Sequence, residues 1–157
     1  MKKIIFSIVG VIIIGIGYYL VSPLWRTMKL DESLPQAEVQ PPAVAGSGEV
    51  VPSPASTVLK EAVLVARAHD VMGKALLIQV GGQEIVRFEN LKTINGPDLH
   101  IYLSAGLNAD DVVDLGPIRA TEGNVNYAIP EGTDTNKYRN VLIWCRPFGV
   151  LFSYAQW

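Results

Sequence analysis

The side chains able to do chemistry in this chain are few. Cys145 is the only cysteine, His69 and His100 are the only histidines, and Asp110, Asp111 and Asp114 form a short acidic set. A lone thiol admits three roles: a small buried hydrophobe, a thiolate cycling through sulfenic acid or a mixed disulfide, or a ligand to haem iron. With one cysteine there is no internal resolving partner, so disulfide cycling would require another protein, glutathione or a second copy of the chain. Cys145 ends an apolar run, "NVLIWC", and is followed by Arg146, a cation able to lower a thiol pKa.

The histidines have neither the i, i+4 spacing of a helical metal site nor a C-x-x-C companion, so no metal site is expected. His69 suits the turn "HDVMG", and His100 alternates onto the same face as Tyr102. Met72 could serve as an axial haem ligand, although a turn methionine more commonly packs. The aspartates lack the D-x-D-x-D-G pattern of a calcium loop and read as a solvated loop. In "NGPD", Asn95, Gly96, Pro97 and Asp98 form a structural turn: glycine permits a positive φ, proline fixes its own, and aspartate accepts backbone bonds. Hydrolase, P-loop, dinucleotide-binding and C-x-x-C-H haem motifs are absent from the sequence.

The elements that must position these residues fall into three stretches. Residues 1–29 hold Lys2, Lys3 and then Ile4–Val21, eighteen residues without a charge, with Tyr18, Tyr19 and Trp25 near one end. Roughly 20 residues of helix span a hydrocarbon core, so a retained transmembrane anchor is expected, without a small-x-small cleavage site close behind it. The lysines favour an inside N-terminus and an extracytoplasmic C-terminal domain in the cell membrane. Residues 30–57, rich in Pro, Ser and Ala, read as a disordered linker with a reach of roughly 30 Å as a coil.

Residues 58–157 form the globular domain, with nine Lys+Arg against eleven Asp+Glu. That balance argues against nucleic acid. Strands are expected at 63–69, 74–80, 83–91, 98–104, 125–129, 140–145 and 149–157, separated by Gly, Pro, Asn and Asp turns; helix at 57–66 is the disfavoured alternative. The fold class is all-β, an antiparallel β-sandwich or barrel. Alternation puts Cys145 on one face with Val141 and Ile143, and Leu99, Ile101 and Leu103 together on a face opposite His100 and Tyr102.

Four stretches, "RAHDVMGKALL", "FENLKTINGPDLHIYLS", "LGPIRATEGNVNYAIP" and "NVLIWCRPFGVLFSYAQW", resemble in order and spacing the DM-thirteen domain family over residues 60–157. The resemblance implies a β-sandwich related to DOMON domains, an extracellular setting and a redox or electron-transfer role. It also implies that Cys145 is the redox residue, with His69 as a second, cofactor-binding participant. The cofactor is left open by the residues, with a non-covalently held haem as one candidate, and the absence of a second cysteine calls for a redox partner protein. The competing class is a ligand-binding or adhesion module in which Cys145 is purely structural.

Overall fold

In the computed structural model the described residues are 2–22, 27–36 and 56–157, the side chains of 2–6, 20 and 21 excepted. Helix α1 covers Lys2–Val21. Among the described residues no helix is long and apolar enough to cross a membrane.

Ten strands follow: β1 (Lys29–Asp31), β2 (Thr57–Val63), β3 (Val65–Ala66), β4 (Val71–Val80), β5 (Gln83–Thr93), β6 (Leu99–Ser104), β7 (Val112–Pro117), β8 (Glu122–Ala128), β9 (Asn140–Cys145) and β10 (Val150–Gln156). They make two five-stranded sheets, ordered β1-β8-β5-β4-β2 and β3-β10-β9-β6-β7. Every described pairing is antiparallel except β1 with β8. The expected all-β sandwich is the observed fold. Between the sheets lies one main core, including Leu77, Val86, Phe88, Leu99, Ile101, Val125, Ile143, Cys145 and Phe152. Period-two alternation produces it: on β6, Leu99, Ile101 and Leu103 point inward, as the sequence predicts.

Two stretches differ from their reading. The expected linker supplies β1, whose Leu30 pairs with Gly123, so its first residues belong to the sheet. Beyond β1, Arg119 pairs with Glu32, and Arg87 Nη1 donates to the carbonyls of Glu32 and Ser33 at 3.0 and 3.1 Å. The globular unit therefore takes in residues well before 58. The rest of that linker, 37–55, lies outside the described residues. The acidic loop, too, is partly strand: Asp110 and Asp111 precede β7, while Asp114 is within it.

The ends of the sandwich are distinct. Strand directions place the start of β1, the end of β5, residues 94–98, the turn after β9, the loop before β4 and the start of β8 at one end. That end carries the candidate site.

Candidate functional site

Cys145 closes β9 directly opposite Leu99, the first residue of β6. Its side chain faces the core and is 0% exposed. The sulfur donates to the carbonyl oxygen of Pro97 at 3.3 Å. Burial pushes the thiol pKa up; the Phe148 backbone N–H works against that shift, and the Asp98 carboxylate adds to it. A thiol held this way is protonated at neutral pH and is a poor nucleophile.

The turn over it is built from the expected residues. Asn95 Oδ1 accepts from the Gly96 N–H at 2.9 Å, and Asp98 sits at a φ of 52°, a conformation aspartate tolerates. Asp98 also accepts the Arg146 N–H at its carbonyl, 3.2 Å away, which ties the turn to the residue after the cysteine. Gly96 is needed for space: a Cβ there would lie 2.9 Å from Phe152 Cζ.

On the other face of the same strands lies a polar cluster. His100 is 7% exposed rather than solvated. Its Nδ1 is 2.9 and 3.0 Å from the two carboxylate oxygens of Asp114. Its Nε2 lies 3.2 Å from Asp98 Oδ1 and 3.1 Å from Arg146 Nη1. With Nδ1–H donated to Asp114, Nε2 has two alternative partners: as a neutral ring it accepts from Arg146, as a charged ring it donates to Asp98. A register shift between β6 and β7 aims Asp114: His100 opposes Pro117 but Tyr102 opposes Asp114, with Gly116 at a φ of 104° inside the irregularity. Burial pushes up the pKa of the neighbouring Tyr102 phenol, and the Asp114 charge adds to it. The alternation pattern put His100 and Tyr102 on the outer face; it carried no sign of Asp114, because a bulge in a partner strand leaves no period to read.

His69 sits elsewhere in the same end. Its ring packs against Phe152 with centroids 4.1 Å apart, and its backbone N–H donates to the Phe152 carbonyl at 3.4 Å. Phe152 falls at a register shift between β10 and β9, between Leu151 opposite Trp144 and Ser153 opposite Ile143. That bulge turns its ring into the core cluster shared with Cys145, next to Gly96. His69 thus packs on Phe152 while the Cys145 sulfur bonds Pro97, the two linked only through the core cluster that holds Phe152 and Cys145.

The residues offered as haem ligands have other partners: both His100 nitrogens are bonded within the protein, the buried Cys145 sulfur bonds the Pro97 carbonyl, and the His69 ring packs on Phe152. Among the described residues no group of three or more His, Cys, Asp or Glu could hold a metal ion.

A two-sheet sandwich with a capped cysteine at one end is the class of domain this fold defines. Residues 63–157 match the family model described as "Electron transfer DM13". The chain belongs to the DM13 family. No curated protein and no solved structure matches it.

Proposed function

We propose that this chain is a membrane-anchored, extracytoplasmic electron-transfer accessory domain whose working end is the Asn95–Asp98 turn and whose redox group is Cys145. The family supports the electron-transfer role. The observation that carries the site is the 3.3 Å contact by which a single turn, tied to Arg146, shuts the only cysteine. Closed, the thiol is protonated and shielded. Displacing the turn would remove the Pro97 acceptor and hydrate the sulfur, restoring thiolate at an accessible strand end beside a cation. Such a thiolate attacks a sulfur of a partner disulfide: a mixed disulfide forms, the partner's S–S bond breaks, and the leaving sulfur takes the electron pair and a proton. A donor dithiol then resolves the mixed disulfide: one donor thiolate attacks the Cys145 sulfur and releases the acceptor's second thiol, and the other donor thiolate closes the donor's disulfide and frees Cys145, so two electrons pass from donor dithiol to acceptor disulfide. His69 enters through Phe152, whose ring it shares with the turn, and so bears on how readily the turn lifts.

The anchor rests on the uncharged stretch Ile4–Val21, and the extracytoplasmic placement on the lysines before it. The second reading, a binding module with a structural cysteine, draws on the complete burial of Cys145 among core side chains.

The deciding experiment uses the full chain in detergent, titrating Cys145 with a partner disulfide such as oxidised glutathione and with a thiol reagent as pH is varied, alongside a visible spectrum. Slow mixed-disulfide formation that accelerates when the turn is loosened by Gly96→Ala supports the redox reading. A thiol that stays inert in both proteins until denaturation leaves the binding module.

A further inference from the structure

We infer that the end of the sandwich carrying the Asn95–Asp98 turn is a lipid-facing surface, seated on the bilayer that holds α1. The inference rests on the anchor reading above and adds to it which face of the domain meets lipid.

Chain length forces the geometry. Helix α1 ends at Val21, and by Met28 the chain is already fixed to the domain. The Met28 N–H donates to Thr121 Oγ1 at 2.9 Å, and its carbonyl accepts the N–H groups of Thr121 and Glu122 at 2.8 and 3.1 Å. Six residue steps separate Ser22 from Met28, a reach of about 20 Å at full extension. An interfacial helix end therefore holds this end of the sheets within that distance of the headgroups. The cleft at the junction is lined by Tyr18 and Tyr19 of α1 together with Met28, Pro97, Asp98 and Pro147, about 890 Å³ in volume.

The side chains there suit lipid. Three separate loops present a large exposed apolar group: Met72 at the start of β4 (66% exposed), Ile94 after β5 (39%) and Phe148 in the turn after β9 (59%). Exposed Lys92 and Arg146 lie beside them together with the carboxylates Asp70 and Asp98, a charged rim around the apolar side chains. At the opposite end the turns present Gly81, Gly82, Glu131, Gly132 and Asp134, and the exposed large apolar side chains are Leu107 and, on the edge strand β2, Val58 and Leu59. Apolar side chains at three places around one end, beside an exposed Arg119 in the β7–β8 loop, against acidic or glycine turn tips at the other, set the two ends apart. On this seating the turn over Cys145 lies at the headgroup layer, so its redox partner is reached along the membrane plane.

The test needs no cysteine. The photoreactive residue p-benzoylphenylalanine is placed at Phe148, at Ile94 or, as the distal control, at Glu131 of the full chain in vesicles of phosphatidylcholine with a minority of phosphatidylglycerol. After irradiation, lipid adducts are read by intact mass. The expected result is at least about tenfold more adduct at positions 148 and 94 than at 131, because only side chains at the boundary layer touch lipid. Equal adduct at all three, or none at 148 and 94 while the chain stays with the vesicles through an alkaline wash, overturns the seating and leaves the anchor standing. A chain stripped from the vesicles by that wash overturns the anchor, and the seating with it.

Discussion

Cys145 and Pro97, forty-eight residues apart, are joined by a thiol-to-carbonyl hydrogen bond of 3.3 Å, so the polar partner of the only cysteine comes from a turn rather than from its own strand. In the resting fold Cys145 should react with maleimide or a disulfide reagent far more slowly than in denaturant. Its raised pKa also fixes a sign. The folded state holds the thiol proton more tightly than the unfolded chain, so this contribution to stability is present at neutral pH and is lost as pH rises through the folded value. Thermal melts across the alkaline range, compared between the wild type and Cys145→Ala, should show the wild type losing the larger share. The substitution itself should cost about 1–2 kcal/mol through the lost packing volume.

Gly96→Ala tests the lid directly. The new methyl would meet the buried Phe152 ring, which is 4% exposed and has no room to withdraw. Overpacking of this kind costs about 1–3 kcal/mol. Thiol labelling should accelerate more than the stability loss alone explains, and hydrogen exchange should rise at Arg146, whose N–H bonds Asp98. Labelling that merely tracks global unfolding would show that the turn does not gate the sulfur.

Gly123→Ala should release β1. Gly123 has a φ of 118°, and a Cβ there would overlap the Leu30 carbonyl oxygen. Left-handed backbone for alanine and this overlap act together, so a loss of about 2 kcal/mol or more is expected. The readout is hydrogen exchange at Glu32, whose N–H bonds the Asn124 carbonyl at 2.9 Å: protection there should vanish while that of β9 persists.

Arg87 is 4% exposed and is satisfied by Glu89, Asn126 and two carbonyls of the chain after β1. The guanidinium holds the Glu89 carboxyl below its ordinary pKa. A depressed carboxyl stabilises the fold above its unfolded pKa, and the contribution fades as pH falls through the folded value. Arg87→Met should flatten the loss of stability as pH falls below the ordinary glutamate range, because Glu89 would no longer be held below it, and should lower stability by about 3 kcal/mol by stranding its partners. Urea unfolding at neutral and acid pH checks both.

Much of the fold was legible because alternation is a local signal. The inward set Leu99, Ile101 and Leu103, the grouping of Cys145 with Val141 and Ile143, and the closing strands 140–145 and 149–157 all follow from period two and turn residues. What escaped depends on distant chain. β1 is three residues long, "KLD", and becomes a strand only through parallel pairing with Glu122–Asn124, about ninety residues on. The run 63–69 reads as one strand, yet it divides between the end of β2 and the short β3, because Leu64 turns into the core where the chain changes sheets. The first strand, Thr57–Val63, was obscured by "KEA", residues equally at home in a helix. His100 was placed on the correct face, but its near-complete burial comes from Asp114 and Arg146, neither of which is a sequence neighbour.

β1 and β2 are the two edge strands of a single sheet, and the proline-rich residues between them run from one edge to the other. A protease cutting within 37–55 would therefore not set the domain free. The amino-terminal fragment would stay clasped to the rest by β1, by Met28 on Thr121 and by Glu32 and Ser33 on Arg87 and Arg119. Shedding would become a matter of strand dissociation, with a lifetime set by those bonds, instead of a single irreversible cut.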